Sequence, residues 1–315
     1  MKRILLILLL LGFNALIFSQ GVFINPIGPT LLPAAGLFSG EIKTSENIEL
    51  KIWKNPDEAV AMLSSGQANI ALLPVSLGAI LYNKKVPIKL VAVSTWKAFY
   101  LIGTSYDVKS FKDLKGKEIY TPFGPGQTGD AIMRYFFKKY GLEVNKDITI
   151  KYANNPEIVA LLSSGKVKYA LLPEPFVSLA LLKVKDCRIL IDIQSEWAKA
   201  VGLKEERIPI SGIFVRQDFL KNNPDLFEEF ITAYEKSLNW LFKNEDKAVE
   251  FVSKIMGNFP AKVLESAMKN SRFEFVYSKN CKEEIELYFK ELTSTDPEII
   301  GGIPDEEFFF LGDDN

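Results

Sequence analysis

Apolar residues along this chain fall into short runs, separated by longer stretches in which they recur every three or four positions. That is the pattern of buried strands alternating with amphipathic helices. It is clearest in a segment that occurs twice. Asn55 to Pro74 reads NPDEAVAMLSSGQANIALLP, and Asn155 to Pro173 reads NPEIVALLSSGKVKYALLP. Asn55 is expected to cap a helix with Pro56 at its first position and Glu58 three residues after the cap; Asn155 and Pro156 repeat the arrangement, with Glu157 in the first turn. Gly66 and Gly165 end the two helices, because glycine enters the left-handed terminal conformation without penalty. Ile70 to Leu73 and Ala170 to Leu172 are apolar throughout, as strands buried on both faces of a parallel sheet are. Ligands bind at the carboxyl ends of such strands. Pro74 with Val75 and Ser76, and Pro173 with Glu174 and Pro175, therefore form two similar corners for a ligand, one from each half. A duplicated packing unit without a site would carry the same pattern.

The remaining elements follow the same alternation. Gly21 to Asn25 is expected as the first strand, and Gly28, Pro29 and Thr30 as a turn of little bulk, suited either to close backbone approach to a ligand or to ordinary tight turning. Ile48 to Trp53, Val86 to Val93 and Phe99 to Gly103 read as strands, with Ser94 to Ala98 joining the last two. A second glycine-rich turn, PFGPGQTGD from Pro122 to Asp130, leads into an amphipathic helix. Phe123, Gly126, Gln127 and Thr128 lie in it, and the free N–H groups of that helix start form a natural anion pocket. The turn lacks the Gly-Lys-Ser/Thr of a nucleotide loop and the Rossmann glycine spacing. Asp147 to Tyr152, Ile189 to Ile193 and Pro209 to Arg216 are further strands. Helices are expected from Asn223, over Ala248 to Met256, Ala261 to Lys269 and Cys281 to Leu292. The whole reads as an α/β fold. Trp96 and Trp197 stand in corresponding connections, where each either offers a ring to a ligand or anchors packing. Glu174 is the one charge beside an apolar corner, facing a ligand donor, a protein donor or solvent.

Composition narrows the chemistry. The 315 residues are 48% hydrophobic, enough for two domains with full cores, and 38 basic against 39 acidic side chains leave a net charge of -1. No basic field exists to hold nucleic acid by counterion release. There is no histidine, and Cys187 and Cys281 are the only thiols, which removes the usual zinc sites, the Ser-His and Cys-His nucleophile pairs and any histidine base. Neither a metal nor a cofactor is expected, and both cysteines read as buried thiols. At the amino terminus Lys2 and Arg3 precede an apolar stretch from Ile4 to Phe18, followed by Ser19, Gln20 and Gly21. This is the pattern of an export signal over residues 1–20, with an uncleaved anchor as the alternative.

Taken in order, the leader, the Gly-Pro turn after the first strand, DLKGKEI at Asp113 to Ile119, GPGQTGDAIMRYFFKKYGL, and VRQDFLKNNPDLFEEFITAYEKSLNWL resemble the solute-binding proteins of ABC transporters. The likeness is greatest to their sulfonate, nitrate and thiamine-precursor branch. It implies an α/β, two-lobe periplasmic binding protein type II fold in which lobe one is discontinuous, 21–105 plus 212–315, with 106–211 as lobe two. It also implies a small organic ligand held between the lobes, a sulfonate, a nitrate-like anion or a thiamine-pyrimidine-like heteroaromatic, with a membrane permease and ATPase as partners, an extracytoplasmic or periplasmic location, and a monomer. The expected ligand-binding residues are Gly28, Pro29, Thr30, Pro74, Val75, Ser76, Trp96, Phe123, Gly126, Gln127, Thr128 and Glu174. The glycine-rich turn has no adjacent histidine or arginine; Arg134 lies further along its helix. Two other readings stand beside a receptor: an enzyme on the same fold acting on a small heteroaromatic metabolite, and a sensor or adhesion module.

Overall fold

Strands form where the apolar runs are: β1 (Gly21–Pro26), β2 (Ile48–Trp53), β3 (Ile70–Pro74), β4 (Ile88–Lys97), β5 (Phe99–Gly103), β6 (Glu118–Thr121), β7 (Thr149–Tyr152), β8 (Tyr169–Pro173), β9 (Arg188–Asp192), β10 (Ser211–Arg216) and β11 (Arg272–Tyr277). They belong to a computed structural model that describes residues 21–125, 127–257 and 259–312. The leader expected over residues 1–20 lies outside the described residues. Among those described, no helix is long and apolar enough to cross a membrane.

The strands divide into two sheets. One has the order β11-β4-β10-β3-β1-β2 and the other β7-β6-β8-β5-β9. β1 runs parallel to β2 and β3, and β6 runs parallel to β7 and β8, so the repeated segment supplies one parallel strand to each sheet, β3 beside β1 and β8 beside β6. The repeat is thus a helix–strand unit used once per sheet. Helix Pro56–Ser64 precedes β3 and helix Asn155–Ser163 precedes β8. Both helices end before a glycine in the left-handed region, Gly66 at φ 77° and Gly165 at φ 71°, a conformation that carries a steric penalty for a side chain with Cβ.

Several expectations change. Asn55 does cap its helix, its Oδ1 accepting from Glu58 N at 3.0 Å. In the second copy the cap is Asn154, not Asn155, because Asn154 Oδ1 takes the bond from Glu157 N at 3.0 Å. Phe99–Gly103, expected in lobe one, pairs as β5 with β8 and β9 in the second sheet. The chain therefore crosses at Lys97–Phe99, and the expected boundary at 105 is too late. Ser94 to Ala98 is not a loop: β4 runs on to Lys97, since pairing with β10 and β11 satisfies its backbone. Trp197 sits in a helix, Ile193–Val201, and β11 was not expected at all.

The two crossings are joined to each other. Ile208 N donates to Trp96 O at 2.9 Å and Ile210 N to Thr95 O at 3.0 Å as the chain returns toward β10. Gln194, fully buried, holds the outgoing crossing: its Oε1 accepts from Phe99 N at 3.0 Å and its Nε2 donates to Phe99 O at 2.9 Å. One buried cluster runs from Leu73 and Val93 through Trp96 and Phe99 to Phe136, and on into the C-terminal helix Ser278–Thr295 at Tyr288. That helix packs on both units, with the Tyr288 ring 5.7 Å from Trp197 and Arg207 paired to Glu284.

Candidate functional site

A cavity of about 720 Å³ lies between the sheets. The carboxyl ends of strands from both sheets open onto it, through Pro26, Trp53 and Pro74 on one side and Phe123 and Pro173 on the other. This is where an open α/β sheet offers helix starts and loose backbone to a ligand. Gly28 makes the first turn possible with φ 141°, which strongly favours glycine, and Pro29 and Thr30 follow into the wall.

The two remaining corners meet. Helix Val75–Asn83 starts directly after β3, and helix Thr128–Lys139 after the glycine-rich turn; neither start has a side-chain cap. Ser76 Oγ and Thr128 Oγ1 are hydrogen bonded at 2.7 Å, so the units touch through the first turns of these two helices. Beside that pair lies the buried Tyr288 hydroxyl, whose phenol is held above its ordinary pKa by burial. Gly129 admits the Phe123 ring across the helix start, since a Cβ there would lie 2.1 Å from it. Phe123 then packs edge-on against Phe99, ring centroids 4.9 Å apart.

Glu174 is the only ionisable residue among the described lining residues, and it is 1% exposed. Its Oε1 accepts from Ser178 Oγ at 3.0 Å and Asn270 Nδ2 at 2.7 Å, and its Oε2 from Ser178 N at 3.0 Å. Burial raises its pKa above the ordinary carboxyl value, against the opposing pull of those donors. Of the partners foreseen for it, protein donors are the ones present. Arg134 does not reach the cavity: its guanidinium bonds Asp130 at 2.8 Å and the Tyr152 hydroxyl at 3.0 Å. Burial pushes the Cys187 thiol up to about 11 and that of Cys281 up to about 12.

Of the expected residues, Gly28, Pro29, Thr30, Pro74, Ser76, Phe123, Gln127, Thr128 and Glu174 line the cavity. Gly126 lies outside the described residues. Trp96 and Val75 are corrections. Trp96 is fully buried, its Nε1 donates to Glu274 O at 2.9 Å, and the Arg207 guanidinium covers its ring at 4.3 Å, so it anchors the crossing. Val75 points into the core while its N–H donates to Ile210 O at 3.0 Å.

Sequence reasoning missed five polar lining residues: Trp53, Thr95, Asn155, Ser211 and Ser271. Trp53 Nε1, Thr95 Oγ1, Asn155 Oδ1 and Ser271 Oγ are buried without a hydrogen-bond partner among the described residues. Trp53 was findable, because it ends a strand immediately before the repeat. Thr95 was hidden by the expectation of a loop, and Asn155 by the assignment of the cap to it.

Comparison with known proteins agrees with this geometry. The family described as NMT1/THI5 like matches residues 44–248, more than half of the chain. No curated protein matches. Among solved structures, an ABC transporter protein from Parabacteroides distasonis is 22% identical with a TM-score of 0.76, covering 92% of this chain and 98% of that one. The periplasmic aliphatic sulphonate binding protein of Escherichia coli is 14% identical with a TM-score of 0.72, covering 93% and 92%. The ligand-binding component of an ABC-type import system from Staphylococcus aureus, with zinc bound, is 17% identical with a TM-score of 0.66, covering 92% and 96%. The fold is that of type II periplasmic binding proteins.

Proposed function

The chain belongs to the NMT1/THI5-like family, and from that premise we propose that it is the extracytoplasmic solute-binding receptor of an ABC importer. It captures a small organic solute between its two units and delivers it, chemically unchanged, to a membrane permease driven by an ATPase. The observation that carries this reading is the pair of repeated corners, Pro74 and Pro173, which come from different sheets and face one cavity beside paired crossing strands. A receptor needs a concave, mostly apolar site between bodies that can move about a hinge. The apolar leader fits export, and the sheet units correspond to a discontinuous first lobe and an inserted second one. The protein acts as a monomer.

The test is capture from a mixture. The purified protein is equilibrated with a metabolite extract, separated from free solutes, and denatured to release what it holds for mass spectrometry. One solute, retained one per chain and with unchanged mass, is the expected result. Retention of nothing contradicts the proposal, and conversion of the retained solute on incubation favours an enzyme.

A further inference from the structure

We infer that the cavity selects an uncharged solute with an apolar body and a hydrogen-bonding edge carrying both a donor and an acceptor, and discriminates against oxyanions; this rests on the receptor reading above. Charge is the first argument. No lysine or arginine stands among the described lining residues, and the one ionisable group there is the acid Glu174. An anion taken into this space loses its water and meets no basic side chain; the uncapped helix starts at Val75 and Thr128 offer it only partial positive charge, and a buried full charge is best tolerated when paired. The hydroxyls at the two helix starts, Ser76 and Thr128, are bonded to each other at 2.7 Å, which uses one of their two protons.

The second argument is the set of polar atoms in the cavity wall. Buried polar groups without partners are rare in native proteins and destabilise them. Here four belong to residues that line one cavity: Trp53 Nε1, Thr95 Oγ1, Asn155 Oδ1 and Ser271 Oγ are each buried just behind its surface, within reach of a solute once a side chain turns. They come from β2, β4, the start of helix Asn155–Ser163 and the residue before β11, so both units and the crossing contribute. Asn155 is not needed as a cap, since Asn154 takes that bond. The indole N–H only donates, the amide oxygen only accepts, and the hydroxyls do either. An oxyanion offers acceptors alone and would leave Asn155 Oδ1 facing like partial charge. An uncharged edge of amide type satisfies both kinds.

The test uses a fluorescent reporter and a matched pair of competitors. N-phenyl-1-naphthylamine, uncharged and apolar, is bound to the purified protein and displaced by benzamide or by benzoate, which share shape and differ in charge. Benzamide is expected to displace the dye at about ten-fold lower concentration than benzoate, the scale of an unmade hydrogen bond to a buried group. Thr95→Val and Asn155→Leu should each narrow that gap. In the unliganded protein Thr95→Val should melt no lower than the parent, because the methyl replaces a hydroxyl that bonds nothing. Benzoate competing as well as benzamide, or neither compound displacing the dye, overturns the solute class and leaves the receptor reading in place. Failure of the dye to bind at all overturns the apolar-body part of the solute class, and the receptor reading is then decided by the capture experiment alone. A lower melting temperature in Thr95→Val with an unchanged gap removes Thr95 from the site.

Discussion

Ser76 and Thr128 are small hydroxyl residues at two helix starts, 52 positions apart, and their bond is a direct contact between the two units at the cavity. Each belongs to a different sheet unit, so the bond acts as a catch as well as a part of the wall. Ser76→Ala and Thr128→Ala should each lower stability by about 0.5–1.5 kcal/mol, and the double variant should lose no more than about either alone. Urea unfolding of the three variants measures this, and strictly additive losses would show that the bond does not form. Glu174 acts through protonation instead. Burial favours its neutral form in the folded chain, so its contribution to stability is fully present below the ordinary carboxyl value of 4.5 and is lost as the pH rises through the higher folded value. Asp218 and Glu205, held below the ordinary range by hydrogen bonds to Arg216 and Arg272, work in the opposite sense, so the comparison must be made against Glu174→Gln. The melting temperature of the parent minus that of Glu174→Gln should fall from pH 4 toward pH 7 (about the span in which a raised carboxyl titrates). A flat or rising difference contradicts the assignment.

At the scale of elements, the repeated helix–strand unit was legible because everything that specifies it is local: the Asn-Pro start, the apolar stripe, the glycine stop and the uninterrupted strand. Local signals fail where pairing decides. β4 continues through Ser94 and Thr95 because β10 and β11 lie beside it, and Phe99–Gly103 joins the second sheet because β8 and β9 offer partners there. Nothing in the apolar run of β5 specifies which sheet it enters. The cap in the second copy shows the same limit at smaller size, since two adjacent asparagines compete for one role. Asn55→Ala and Asn154→Ala should each cost about 1 kcal/mol, and Asn155→Ala far less. Denaturant unfolding of the three single variants decides it; an equal loss in Asn155→Ala would return the cap to that residue and remove it from the cavity wall.

For the whole molecule, the sequence order of strands and helices was sufficient to foresee two bodies facing one space, but the connections between them were only partly visible. Two crossings pair with each other through Thr95, Trp96, Ile208 and Ile210. The C-terminal helix packs on β4 and β11 of one unit and on helix Thr128–Lys139 of the other, a contact no periodicity encodes. Pro74, Pro173, Thr95 and Ile210 all line the cavity, so a solute that fills it touches both units and the crossing at once. The account therefore turns on where a captured solute sits. A crystal structure of the protein with the solute it retains from extract should place that molecule between Pro74 and Pro173, within hydrogen-bond reach of Thr95 or Asn155. A solute found on the outer face of either sheet, touching only one unit, would contradict it.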